Sequence, residues 1–177
     1  HVKTLLDHLR DQAGGQGNTL TVDGGDLWQG SATSLWTRGV DMVEASNILG
    51  IDVMVGHWEF TFGEDRVKEI VDDLGYPFLA SNVFDTEWDE PVFEHTAFYE
   101  TGGHKVAVIG QAMPYTPIAN PRWMIPNWSF GIRPEVIQAN VDAAREAKVA
   151  DLQVARRVEE QVARLEVAVE HVRAVDV

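Results

Sequence analysis

Cysteine is absent from the 177 residues, which excludes disulfides and thiolate metal sites and fits an oxidising or a reducing compartment equally. Basic residues are scarce: 14 Lys and Arg face 28 Asp and Glu, for a formal net charge of −14. That balance argues against nucleic acid or an anionic membrane surface as a partner. It also means that an anionic substrate needs a local cation, either an arginine or a bound metal. No apolar run approaches the ~20 residues of a membrane span, and no signal peptide is visible. The chain opens on His1 rather than Met and runs at once into the helix-like "HVKTLLDHLRDQ", as expected of a chain whose beginning lies elsewhere. What is present describes an ordinary globular domain: 45% hydrophobic and 24% charged residues, in a length that can bury a core.

Val2, Leu5, Leu6 and Leu9 share one helical face, and "AGGQGN" then stops the helix. Strands are expected near 19–23, 52–55, 78–83 and 105–110, all in one sheet, with helices near 34–49, 64–74 and 134–148. Asn47 and Gly50 mark one helix end and Gly75 caps another. The stretch from Asp85 to His104 reads as irregular. The segment "MPYTPIANPRWMIPNWSFGIRP" is rich in Pro and aromatics, too apolar for a linker, and long enough to be functional. The alternation of strand and helix gives an α/β domain.

Composition changes after Pro134: the last 43 residues hold no Gly, Pro or aromatic. Val154, Val158, Val162, Leu165, Val169 and Val172 form an a/d-like stripe. A terminal helix packed on the domain is the plainer outcome; a helix that pairs with a partner, including a second copy, is the alternative. The domain reading is therefore an α/β domain over 1–151 and a helical tail over 152–177.

Two loops carry the chemistry. "DGGDLWQG" (Asp23 to Gly30) and "GHWEFT" (Gly56 to Thr61) each follow a β-branched run, where open α/β sheets collect ligands. Alone, Asp26 reads as a turn residue and His57 as a hydrogen-bonded core histidine. Together, a carboxylate and an imidazole beyond neighbouring parallel strands suit Mn, Fe or Zn. Two ligands make half a site. Trp58 beside His57, and Gln29, are candidates for lining it. Arg38, Arg66, Arg122 and Arg133 are possible partners of an anion, and Asn82 either orients a ligand or caps a turn. Trp28 and Trp36 read as packing residues, and His8, His95 and His104 receive no role.

The order strand, "GD…QG", helix, "N..G.D", strand, "G..E" resembles the calcineurin-like metallophosphoesterases, in particular their 5′-nucleotidase branch. The resemblance implies that Asp26 bridges two metals and that His57 stands where the family has a metal-binding Asn. Trp58 and Thr61 stand where that branch has a transition-state His–Asp dyad. "DGGDLWQGSATSLWTRGVDM", "GIDVMVGHWEFTFG" and "VAVIGQAMPYTPIANPRWMIPNWSFGIR" are similar to the SoxB thiosulfohydrolases, from Val2 to about Leu152. That resemblance implies one half of an α/β/β/α sandwich and two manganese ions. It also implies hydrolysis of a cysteine-S-thiosulfonate on the SoxYZ carrier protein, in the periplasm. The dyad's loss is coherent with that chemistry, because a persulfide leaves more readily than an alkoxide and needs less acid help. The family's "DxH", "SH.G" and "GH.H" motifs are not in this sequence, so the chain reads as an internal piece of such a domain and its turnover is expected near background. The alternatives are a 5′-nucleotidase-like phosphohydrolase and a non-catalytic chain that associates through its tail.

Overall fold

The computed structural model describes residues 1–147, so the expected tail over 152–177 and its boundary at 151 lie outside the described residues. The chain divides into two compact units, His1–Asn140 and Val141–Val177. In the second, residues 141–147 are helical.

The first unit is α/β, built on a three-stranded parallel sheet in the order β1-β2-β3. β1 is Val22–Asp23, β2 is Val53–Val55 and β3 is Phe78–Leu79. The register places Val22 opposite Val53 and Met54 opposite Phe78. β2 lies in the middle, with Val53 and Met54 fully buried. α1 (Val2–Gln12) precedes the sheet, α2 (Ala32–Thr37) and α3 (Val40–Leu49) connect β1 to β2, and α4 (Glu64–Asp73) connects β2 to β3. None of the described helices is long and apolar enough to cross a membrane.

The expected single helix over 34–49 is two helices. Ser31 and Ser34 form a reciprocal capping box at the start of α2. Arg38 and Gly39, both left-handed, then end it, and the Gly39 N–H reaches back to the Ser34 carbonyl. Gly50 closes α3 in the left-handed conformation, as read from sequence. Gly75 is not the cap of α4: the helix ends at Asp73, Leu74 caps it with extended backbone, and the Gly75 N–H is bound instead by the Asn47 side chain.

The expected fourth strand belongs to a separate hairpin. β5 (Thr96–Thr101), in the stretch read as irregular, pairs antiparallel with β6 (His104–Ile109). Gly102 and Gly103, both at positive φ, make the two-residue turn that allows it. The hairpin's base docks on the end of β3: Ala80 N–H donates to the Glu94 carbonyl and Ser81 N–H to the Gly110 carbonyl.

The apolar face of α1 also turns out differently. Val2, Leu5 and Leu9 are exposed, and the buried position belongs to Arg10. Its guanidinium donates to the carbonyls of Leu49 and Gly50, to Thr21 Oγ1 and, at 3.5 Å, to Asp7 Oδ1, so four acceptors compensate its burial. The core proper is aromatic. Phe60 packs on Phe130 (centroids 4.9 Å apart), Phe78 on Phe93 (5.0 Å) and Phe93 on Trp128 (5.2 Å). Trp128 opens β7 (Trp128–Ser129), which pairs with β4 (Phe84–Asp85), so the Pro-rich segment is structured and supplies core. Its anchor is Glu64, whose carboxylate accepts from the Asn127 backbone N–H at 2.6 Å and side-chain amide at 3.0 Å. Trp28 is fully buried, while Trp36 is 78% exposed.

Candidate functional site

Both loops leave the same end of neighbouring parallel strands, since β1 and β2 run side by side in register. The first begins with an Asx turn, in which Asp23 Oδ1 accepts from the Gly25 N–H at 2.7 Å. Burial pushes the Asp23 carboxyl up, against the pull of that N–H. Gly25 then takes φ 85 and Asp26 φ 65. No larger residue fits at position 25. A Cβ there would lie 2.6 Å from the Val55 carbonyl oxygen and 2.8 Å from His57 Cβ. The backbone one residue before Asp26 therefore rests directly on His57.

The second loop turns at Gly56, where a Cβ would lie 2.4 Å from the Phe60 ring. A 3₁₀ turn, Glu59–Phe62, follows. Its first residue is fully buried. Glu59 Oε1 accepts from the Leu27 N–H at 2.7 Å and Oε2 from the His57 N–H at 2.6 Å. Burial pushes the Glu59 carboxyl up, with these N–H groups pulling the other way. A second cross-link joins the loops. Gln29 Nε2 donates to the Trp58 carbonyl at 2.8 Å, and Thr61 Oγ1 lies 2.6 Å from Gln29 Oε1 and 2.9 Å from the same carbonyl.

The two candidate ligands are left uncommitted by this scaffold. The exposed Asp26 carboxylate has no hydrogen bond or ion pair among the described residues. His57 Nδ1 is buried with no hydrogen-bond partner among the described residues, and the Trp58 ring stands edge-on to the imidazole at 6.1 Å. Among the described residues no group of three or more His, Cys, Asp or Glu is placed to hold a metal. The donor set here is two. A third loop adjoins these, since the Met113 N–H donates to the Gly56 carbonyl. The groove of about 880 Å³ lined by Tyr76, Phe93, His95 and Asn140 shares no lining residue with either loop.

No family model matches the chain. A curated 5′-nucleotidase of Vibrio parahaemolyticus is 30% identical over 125 residues, 69% of this chain and 22% of that protein. The crystal structure of the sulfate thiohydrolase SoxB of Thermus thermophilus, in complex with glycerol, superposes with a TM-score of 0.76 at 33% identity. It covers 82% of this chain and 27% of SoxB. The 5′-nucleotidase precursor of the same organism superposes at 0.67 with 25% identity, over 79% of this chain and 28% of its own. The chain belongs to the 5′-nucleotidase and metallophosphoesterase superfamily. It spans about a quarter of the length of each of these three relatives.

Several sequence candidates fall outside the superfamily-type loops. Asn82 is fully buried and is a strut: its amide donates to the carbonyls of Ala112 and Gly131, and its oxygen accepts from the Ala112 N–H. Both of its N–H donors are spent and its side chain is shut off from solvent. Asn82→Ala is expected to lower stability by about 1–3 kcal/mol, read as a shifted urea midpoint with an unchanged slope. Arg66 is engaged by the Arg38 carbonyl and Glu69, and Arg133 by Asp89, Ser129 and the Phe84 ring. Glu59 was the residue missed. It was visible only as the last letter of "GHWE", and nothing in spacing announces that its carboxylate meets an amide 32 residues away.

Proposed function

We propose that this chain is part of a SoxB-type thiosulfohydrolase, a periplasmic enzyme that releases sulfate from a cysteine-S-thiosulfonate on the SoxYZ carrier. What carries the reading is the second loop. Where the phosphatase branch has its dyad, Trp58 has no titratable group, and the Thr61 hydroxyl proton is committed between Gln29 and the Trp58 carbonyl. Neither group can protonate a leaving group. An alkoxide would suffer from that loss, whereas a persulfide leaves without acid help. In the reaction, water forms a bond to the sulfonate sulfur and the sulfur–sulfur bond breaks. The electron pair departs on the persulfide and two protons pass to solvent.

One carboxylate and one imidazole suit manganese as they suit iron or zinc, and His57 Nδ1, which has no hydrogen-bond partner among the described residues, is a donor of the kind a metal takes. Asp26 and His57 would hold their share of a two-ion centre, which when bound supplies Lewis-acid charge for the sulfonyl oxygens and for activating water. The chain's own residues do the rest. The Gln29 and Thr61 cross-link fixes the Trp58 backbone beside His57, and the Trp58 ring forms an apolar wall where the phosphatase branch keeps a proton donor.

The names of the curated relatives favour a second reading, a 5′-nucleotidase-type phosphohydrolase. The gene product that contains this chain, loaded with Mn²⁺, would be assayed for sulfate release from a thiosulfonated cysteine peptide and for phosphate release from AMP. Sulfate release with AMP turnover at background is the expected result; the reverse selects the nucleotidase. His57→Asn, which exchanges one ligand for another, is expected to cost about 10- to 100-fold in sulfate release.

A further inference from the structure

We infer that Glu59 is a positioning residue that sets the spacing of the two loops, and through them of Asp26 and His57. The inference rests on the reading of that pair as metal ligands. Glu59 is fully buried and has no cationic partner among the described residues. An apolar side chain would fill the same space without the cost of dehydrating a carboxylate, which runs to several kcal/mol unless hydrogen bonds offset it. Here both oxygens are used, and each on a different loop. Oε1 takes the N–H of Leu27, the residue after Asp26, and Oε2 takes the N–H of His57 itself.

No neutral or shorter side chain repeats this. Glutamine has the right length but turns one acceptor into an NH₂ group, which would face a backbone donor. Aspartate keeps the charge but is one methylene short, so it reaches one loop only. The Gln29 cross-link engages Trp58 and Thr61 and binds neither the Leu27 nor the His57 amide, so it does not substitute. Gly25 brings the loops into contact, and Glu59 holds them there.

The test compares the chain with its Glu59→Gln and Glu59→Asp variants by amide hydrogen exchange and by Mn²⁺ titration followed through paramagnetic line broadening. A lost hydrogen bond to a charged group corresponds to roughly 10- to 100-fold in local opening. Glu59→Gln is therefore expected to speed exchange by that factor at Leu27 or His57, with Val106 in the hairpin unchanged. Glu59→Asp should release one of the two amides and leave the other protected. Mn²⁺ affinity should fall at least about 10-fold in Glu59→Gln. Unchanged protection at both amides overturns the inference. So does loss of protection at Val106 together with the loops in both variants, because Glu59 is then a general core residue. If the unaltered chain binds no Mn²⁺, the metal reading of Asp26 and His57 fails, and the exchange rates at Leu27 and His57 still decide the spacing role.

Discussion

Replacing Asp26 is expected to reduce sulfate release by the intact enzyme to background. Loss of an outer partner of a metal ligand already costs about 10- to 100-fold. A carboxylate that itself holds the metals should cost more, because coordination and the activation of water fail together. The choice of variant matters, since Asp26 sits at φ 65, in the left-handed region. Alanine there adds about 1–2 kcal/mol of backbone strain and would mix a folding defect with a chemical one. Asparagine tolerates the same conformation and keeps the shape while removing the charge. Asp26→Asn should therefore melt within a degree or two of the parent and still be inactive. An Asp26→Asn enzyme that keeps a tenth or more of parental turnover would remove Asp26 from the centre.

The parts of this fold legible in sequence were those set by local chemistry. The runs "TLTV", "IDVMV" and "PFLASNV" each yield a strand of the parallel sheet, because β-branched and aromatic residues between turn signals have few other placements. The hairpin was missed although Gly102-Gly103 is a two-residue turn signal, because the half-polar strand "TAFYET" lies at the surface and shows no apolar run. The break at Arg38 and Gly39 was masked by an apolar pattern that continues through it. Trp28 and Trp36 look alike in sequence, and only tertiary placement buries one and exposes the other. The same limit governs the site. Asp26 and His57 stand out because glycines frame them, whereas Glu59 depends on an approach between segments that no local pattern encodes. Arg10 is the parallel case, a buried cation met by two carbonyls and a hydroxyl from distant segments.

Gly25→Ala should separate the loops, and Gly24→Ala should not. The positions are adjacent and differ in two respects. A Cβ at Gly24 meets no atom within 4 Å, while one at Gly25 would sit 2.6 Å from the Val55 carbonyl and 2.8 Å from both the His57 Cβ and its backbone nitrogen. These neighbours include backbone at the end of β2, so they cannot swing aside as a flexible side chain would. Gly25 also takes φ 85, which adds strain for any L-residue. Overpacking of this kind costs about 1–3 kcal/mol and the left-handed backbone about 1–2 more. Relief comes most cheaply by moving the Gly25–Asp26 segment away from His57, which stretches the Leu27 and His57 hydrogen bonds to Glu59. The expected result for Gly25→Ala is a lower denaturation midpoint together with weakened Mn²⁺ binding, with Gly24→Ala matching the parent in both. Equal behaviour of the two variants would mean that the contact between the loops does not govern the site.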